Sequence, residues 1–352
     1  MAIVEDADRA GRHSGLPVLY SLLAKYGLLL LLAILVAVFS LLLPKSFPTV
    51  FNLRNTLGSQ AIILLIALGL MVPFAAGVFD LSIGYWVGLS SMLAVGLQVD
   101  QKLPGEVAIL IVLVLAVVVG LINGMIVTIF KVDSLIATLG SGSIVYGVTE
   151  AYSNGFPISG PLPSWFTDIT YPGFLSMPWS VWFVLIVTVL LWLLLGYTTI
   201  GRRVYVVGEN RRAAELAGIP VKSYIQFSFV MSAVLGAAAG IVVASSARVG
   251  QPTEGPEYLL PGFTAAFLGT AAIRPGRLNP WGTVIAVMLL AVTLSGLLQL
   301  GVPSYVQDFF NGVMLITAMA IAVYASRRRA ANSAVSRPKS VEAERETDDI
   351  AS

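Results

Sequence analysis

With 352 residues, 57% of them hydrophobic and only 11% charged, the chain carries far less charge than the roughly one quarter usual in soluble domains. A formal net charge of +2 gives no basis for binding nucleic acid, and the absence of cysteine excludes disulfides, thiolate metal sites and cysteine nucleophiles. The only histidine, His13, lies in a polar N-terminal stretch, so neither a histidine metal cluster nor a Ser-His-Asp triad can be built inside a membrane.

Crossing a bilayer takes about 20 apolar residues, and the sequence supplies such runs repeatedly. The first, YGLLLLLAILVAVFSLLL at 26–43, is longer than the core of a signal peptide and leads into LLLPKSF, so it reads as an uncleaved span. Nine more apolar segments follow at 57–78, 81–97, 107–130, 134–152, 179–197, 224–246, 260–273, 281–300 and 305–324. The runs do not alternate as barrel strands do, and at this apolarity only helices satisfy their own backbone in lipid. The expected fold class is therefore an all-α polytopic membrane protein with about ten transmembrane segments.

Asp80 and Ser82 stand where the second segment turns into the third. By residue count Asp80 lies near one membrane edge, where it suits a cap on the following helix better than a proton relay. Pro73, by breaking the second segment, would carry Asp80 deeper and leave a gating role open. Three small-xxx-small pairs, Gly84/Gly88, Gly120/Gly124 and Gly236/Gly240, allow helices to approach closely within the chain. Tyr85 and Trp86 suit either a membrane-edge anchor or a sugar-stacking surface, the anchor being the commoner use. Asn123, Thr138, Ser141, Ser143 and Tyr146 place polar groups on neighbouring spans, where they either line a passage or bond helix to helix. Asp133 reads as a cap for the fifth segment, which Gly140, Gly142 and Gly147 weaken. The eighth segment, LPGFTAAFLGTAAI, is too short to span and is expected to be buried, re-entrant or broken.

Between the sixth and seventh segments lies a charged island, GRRVYVVGENRRAAELAGIPVKS, within a loop at 198–223. Asn210 is a good N-cap, RRAAELA a short helix, Gly218 its terminating residue and Pro220 a barrier to continuation. Ala213, Ala214, Leu216 and Ala217 make a small-residue surface framed by Arg202, Arg211 and Glu215, which suits a docking element for a cytoplasmic partner. With the N-terminus inside, the inner side collects 17 Lys and Arg and the outer side 4, so both termini and the island are placed in the cytoplasm. The resulting plan is a tail at 1–25, a transmembrane domain at 26–325 and a polar, disordered tail at 326–352. VDSLIATLGSG (132–142) and VPSYVQDFFNG (302–312) both place Val-x-Ser before a span and Gly eight residues after the Ser. An offset of five spans reverses direction, giving an inverted repeat.

The island resembles the large cytoplasmic loop of the permease subunits of ribose- and xylose-type sugar ABC importers. FNLRN (51–55), DLSIG (80–84), GLINGMIV (120–127) and ATLGSGSIVYG (137–147) match the same family in order. The resemblance spans roughly 51–324, and departs at Gly77-Val78-Phe79, where the family has a Gly pair, and at RPGRLNPWG, where it is richer in glycine. It implies the ABC importer permease fold in a bacterial cell membrane, a second permease subunit, a separate ATPase subunit that holds ATP and Mg, and an extracytoplasmic solute-binding protein. No G-x-x-x-x-G-K-[ST] phosphate loop occurs in this chain, so no ATP cofactor is expected in it. The island residues Arg202, Asn210, Arg211, Ala213, Ala214, Glu215, Ala217 and Gly218 would couple to the ATPase. Asp80, Ser82, Asn123, Thr138, Ser141, Ser143 and Tyr146 are the candidates for the translocation path of a small neutral sugar or polyol. The related branched-chain amino-acid permeases and a secondary transporter are the competing readings, and Asp80 is the only candidate carboxylate for the latter.

Overall fold

The computed structural model describes the backbone of residues 15–335 and the side chains of residues 25–320. The elements in order are α1 (Gly15–Leu42), α2 (Val50–Ala75), α3 (Ser82–Val99), α4 (Gly105–Thr128), α5 (Ser134–Ser153), β1 (Ile158–Ser159) and α6 (Ser164–Thr167). They continue with α7 (Trp179–Tyr197), α8 (Thr199–Glu209), α9 (Arg211–Leu216), α10 (Val221–Ala247), β2 (Val249–Gly250), α11 (Leu259–Leu268), α12 (Pro280–Gln299) and α13 (Val306–Val335). The protein is an all-α polytopic membrane protein, the one sheet among the described residues being the antiparallel pairing of β1 with β2. Each of the ten apolar segments falls on a helix. Among the described residues seven are long and apolar enough to span by themselves: α2, α3, α4, α7, α10, α12 and the Lys25–Leu42 part of α1.

Several local expectations change. α1 starts at Gly15, well inside the stretch read as a tail, and α13 runs to Val335, beyond the expected end of the domain. No Gly or Pro occurs from 313 to 337, and SRRRAANSA holds good helix formers, so a nucleated span elongates at little cost. Residues 1–14 and the rest of the tail, 336–352, lie outside the described residues. α5 is continuous despite its glycines, and is capped by Asp133, which accepts from the N–H groups of Leu135 and Ile136. Pro73 sits within α2 without breaking it at that point. Trp86 is fully buried, which removes it from the membrane-edge anchors.

α10 is the central helix, packed on α2, α3 and α4. Its approach to α4 depends on glycine: a Cβ at Gly120 would lie 2.6 Å from Val230 Cα, and one at Gly124 would lie 2.8 Å from Gln226 Cα. Gly236 receives Ile83 of α3, Gly240 lies against the Val87 carbonyl, and Gly88 of α3 lies against the backbone oxygen of Glu254. All three small-residue pairs therefore work inside the chain, where close van der Waals packing replaces the hydrophobic drive that lipid cannot supply.

The contacts repeat between halves. α10 packs on α3 and α4 as α2 packs on α11 and α12, and α3 meets α5 as α11 meets α13. α2 and α10 run antiparallel: Gly69 meets Ser232 and Leu235, while Gly77, just past the end of α2, shares a cavity with Val221 at the start of α10. This is the arrangement that an inverted repeat requires. The Ile273 N–H donates to the Lys25 carbonyl (2.9 Å), and the Tyr205 hydroxyl donates to the Leu278 carbonyl (2.6 Å). The start of α1, the α8–α9 island and the α11–α12 turn thus share one end of the bundle, which also holds Arg274 and Arg277. Lys131 and Lys222 line the cavity beside Arg211 at that same end.

Overpacking a close helix contact costs about 1–3 kcal/mol. Gly120→Val should therefore lower the thermal stability of the detergent-solubilised protein. Gly196→Ala, in α7 at a site with nothing within 4 Å of the added carbon, should not lower it, since alanine favours the helix.

Candidate functional site

The chain between α2 and α3, residues 76–81, is a non-helical joint, buried at Ala76, Val78 and Asp80 and exposed at Gly77, so the polar groups turned inward need partners. Gly77 turns the chain with φ +73°, and the Val78 N–H donates back to the Pro73 carbonyl (3.0 Å). The Phe79 N–H donates to Ser134 Oγ (3.1 Å) and the Leu81 N–H to Thr138 Oγ1 (3.0 Å), both on α5. Thr138 donates in turn to the Ser134 carbonyl (2.7 Å), so its hydroxyl both accepts from the joint and closes on its own helix.

Asp80 is 1% exposed. Its Oδ1 accepts from the Ser82 N–H (3.0 Å) and from the Ser82 hydroxyl (2.5 Å), and Asn123 Nδ2 donates to Ser82 Oγ (2.8 Å). The carboxylate thus takes a first-turn N–H of α3, where the helix dipole favours negative charge. Asp80, Ser82, Asn123 and Thr138 are brought together at this joint by three consecutive helices, α3, α4 and α5. Ser141, Ser143 and Tyr146 are not. Ser141 and Ser143 donate to carbonyls of their own helix, at Thr138 and Leu139, and Tyr146 stands edge-on to Tyr85. Ser141 follows Thr138 on the same face but one turn further from the joint, while Ser143 and Tyr146 point elsewhere around α5.

The island abuts the joint. Thr198 caps α8 by accepting from the Gly201 N–H (3.2 Å), and Asn210 ends α8 and caps α9 by accepting from the Ala213 N–H (3.0 Å). α9 closes through Gly218 (φ +73°), with the Ile219 N–H donating to the Ala214 carbonyl and the Gly218 N–H to the Glu215 carbonyl. That pair of bonds satisfies carbonyls a six-residue helix would leave open. Ala214 is buried, while Arg202, Ala213, Glu215, Leu216 and Ala217 are exposed. Arg212 and Glu215 pair at 3.8 Å on the surface, an arrangement of little energetic weight. Arg211 Nη2 donates to the Gly77 carbonyl (3.0 Å). A Cβ at Gly208 would run into the Ala75 carbonyl, and one at Gly77 would meet Gly208 Cα at 3.2 Å, so α8 and the joint touch backbone to backbone. The Tyr205 phenol beneath Arg277 is pushed up by burial, with Arg277 and Arg274 pulling it partly back, and it stays a donor to Leu278.

Two polar features escaped the sequence reading. At the end of the bundle away from the island lies a cavity of about 660 Å³ between α2, α12 and α13, lined by Asn52, Asn55, Gln60, Gln299, Gln307 and Asn311 among others. Amides inside apolar runs were the available signal. The second is Glu254, in the connection from α10 to α11, whose Oε2 is buried without a hydrogen bond among the described residues. Glu254 is thus a second carboxylate with one oxygen withdrawn from solvent, though the residue as a whole is only partly buried.

Antiparallel halves, a buried joint and a capped polar island fastened to that joint make up the architecture of an ABC importer permease. The chain belongs to the family described as branched-chain amino acid transport system / permease component, which matches residues 52–319. It is 34% identical over 316 residues to the ribose import permease protein of Bacillus subtilis, an alignment covering 87% of this chain and 94% of that protein. It is 32% identical over 302 residues to the ribose import permease protein of Escherichia coli, covering 83% and 92%. To the autoinducer 2 import system permease protein of Salmonella paratyphi B it is 30% identical over 260 residues, covering 72% and 78%. No solved structure matches the chain.

Leaving a buried donor without its acceptor costs about 1–3 kcal/mol. Asp80→Leu, which strands the Ser82 N–H and hydroxyl, should lower thermal stability by about that amount. Asp80→Asn keeps an acceptor oxygen in place and should fall clearly short of that loss in the same unfolding measurement.

Proposed function

We propose that this chain forms the passage of an ATP-driven importer for a small neutral sugar or polyol, fed by an extracytoplasmic solute-binding protein and driven by a separate ATPase. The observation that carries this reading is the bond from Arg211 of α9 to the Gly77 carbonyl. It ties an exposed, small-faced helix to the break between two spans, the place where an external push would be felt inside the bundle. ATPase subunits closing on ATP would displace α9. Gly208 and Arg211 would pass that displacement to the joint, and Ser134 and Thr138 would hand it on to α5. ATP and Mg belong to the ATPase in this scheme, and a second permease subunit completes the membrane half.

The Lys- and Arg-rich end of the bundle would face the cytoplasm, with both termini. The cargo class is supported by the ribose and autoinducer 2 relatives and by the amide-lined cavity. An amino acid brings a carboxylate and an ammonium, each costly to bury unpaired, and among the described residues no charged side chain lines that cavity. The deciding experiment reconstitutes the permease with its ATPase and binding protein in vesicles and compares uptake of D-ribose with that of leucine. ATP-dependent uptake of leucine alone would overturn the cargo assignment.

Two variants test the coupling and the orientation. Ala217→Glu puts a bulky charge on the docking face and should abolish ATP-dependent uptake while the protein still inserts. Stimulated ATP hydrolysis at the normal level in that variant would contradict the docking role. Arg211→Cys, in a chain with no cysteine of its own, should resist an impermeant thiol reagent added to intact cells and react once the membrane is opened.

A further inference from the structure

We infer that α8 is a yoke on α2 and α12, and that Tyr205 and Arg277 are the positioning residues through which the ATPase stroke reaches the second half of the bundle. The inference rests on the importer reading and goes beyond it, since the path described above runs only through Gly208 and Arg211 into the first half. One turn before Gly208, α8 carries Tyr205, which is buried. Its hydroxyl donates to the carbonyl of Leu278 (2.6 Å), the residue before the α12 cap Asn279. The Arg277 guanidinium carbon stands 3.9 Å from the centre of the Tyr205 ring, within range of the attraction between a cation and a ring face. The Arg277 Nε is buried with no hydrogen bond among the described residues, so the ring holds the inner part of this side chain.

The turn that Tyr205 grips is bonded into one unit with the start of α12. Asn279 Nδ2 donates to the carbonyls of Ala272 (3.0 Å) and Arg277 (3.1 Å), while its Oδ1 accepts from the Gly282 N–H (2.7 Å). The Gly276 N–H donates to the Thr270 carbonyl (2.7 Å). A Cβ at Gly269 would lie 2.6 Å from the Thr283 nitrogen, so the end of α11 also rests directly on α12. A displacement received at Leu278 would therefore move the first turn of α12 rather than bend the loop.

One helix thus grips the inner ends of two others. Gly208 lies against the carbonyl of Ala75, the last residue of α2, and Tyr205 holds the approach to α12. The far ends of the same two helices wall the cavity of about 660 Å³, with Asn52, Asn55 and Gln60 on α2 and Leu294, Ser295 and Gln299 on α12. α2 has 26 residues and α12 has 20, which makes each a rod of roughly 30–40 Å. A tilt imposed at the inner end of a rod is carried to its outer end. Displacing α8 would alter the angle between α2 and α12, and with it the width of the cavity. A grip on α2 alone would move one wall and leave the other behind.

The test uses the complete importer, with ATPase and binding protein, in vesicles, and D-ribose as probe. Tyr205→Phe keeps the ring under Arg277 and removes only the hydroxyl. It should lower the ribose imported per ATP hydrolysed by about twofold to tenfold, the effect of one lost hydrogen bond. Arg277→Gln should lower the same ratio, and Arg277→Lys, which keeps a cation for the ring, should stay closer to wild type. A merely structural role would reduce the amount of assembled complex and leave the ratio untouched. In a second measurement Gln60→Cys, in the cavity wall, is labelled from outside with an impermeant maleimide. A non-hydrolysable ATP analogue on the ATPase should change the labelling rate, and Tyr205→Phe should shrink that change. An unchanged ratio in both Tyr205→Phe and Arg277→Gln, or a nucleotide effect on labelling that Tyr205→Phe leaves intact, overturns the yoke alone. A wild-type complex that imports leucine and no ribose overturns the cargo assignment alone, and the ratio is then read with leucine. No ATP-driven uptake of either by the wild-type complex overturns the importer reading and the yoke together.

Discussion

Backbone amides and carbonyls left open in hydrocarbon cost several kcal/mol each, and this constraint governs the rest of the structure. Two departures from helical geometry lie against the bundle, at residues 76–81 and between α10 and α11. The backbone groups that each turns inward find partners or close packing in protein, while Gly77 and Arg248 face outward. The first is satisfied by Ser134 and Thr138 of α5 and by Asp80 itself. The second runs along α3, where Gly84 and Gly88 leave room for Gly255 and the backbone of Glu254. Helices able to cover a break must come close, and closeness is what glycine on α3, α4 and α10 provides. Fold, packing and the polar cluster are therefore one solution to one problem.

The two breaks occupy equivalent places in the inverted halves and are built differently. The α2–α3 joint is short, turned by one glycine in the left-handed region and pinned by side chains. The α10–α11 connection is longer, includes the strand pairing of Val249 and Gly250 with 158–159, and leaves α11 only ten residues long. The two halves thus differ most at these breaks: a short joint beside the island and a longer connection at the opposite end of the bundle.

Much of this was legible in the sequence because it is encoded locally. Apolar runs mark spans; Asp133 and Asn210 mark helix starts; Gly218 followed by Pro220 marks a stop. Each of these was found where its side-chain chemistry predicts. Asp80 as a partner for the first turn of α3 was likewise readable from its position ahead of a helical run. What escaped is encoded by proximity. α8 carries Val204, Tyr205 and Val207 inward, but two arginines at its start made it look like loop. Of the polar residues on α5, Ser134 and Thr138 bond the joint while Ser141 and Ser143 bond carbonyls of their own helix, a difference that a list of polar residues cannot show. The cavity joins Asn52 to Gln299 and Asn311 across most of the chain, and no spacing rule connects them. Glu254 was passed over because it lies between helices, in a stretch that reads as exposed turn until the fold tucks it against α3.

The contact between Gly208 and the Ala75–Gly77 backbone has a mechanical consequence. Side chains absorb small displacements by changing rotamer, so a linkage made of them has slack at the start of every stroke. Main chain resting on main chain has no such slack, since peptide groups are planar and stiff. A movement of α8 would thus reach the α2–α3 joint with little lost in between, and the hydrogen bond from Arg211 would hold the two parts together.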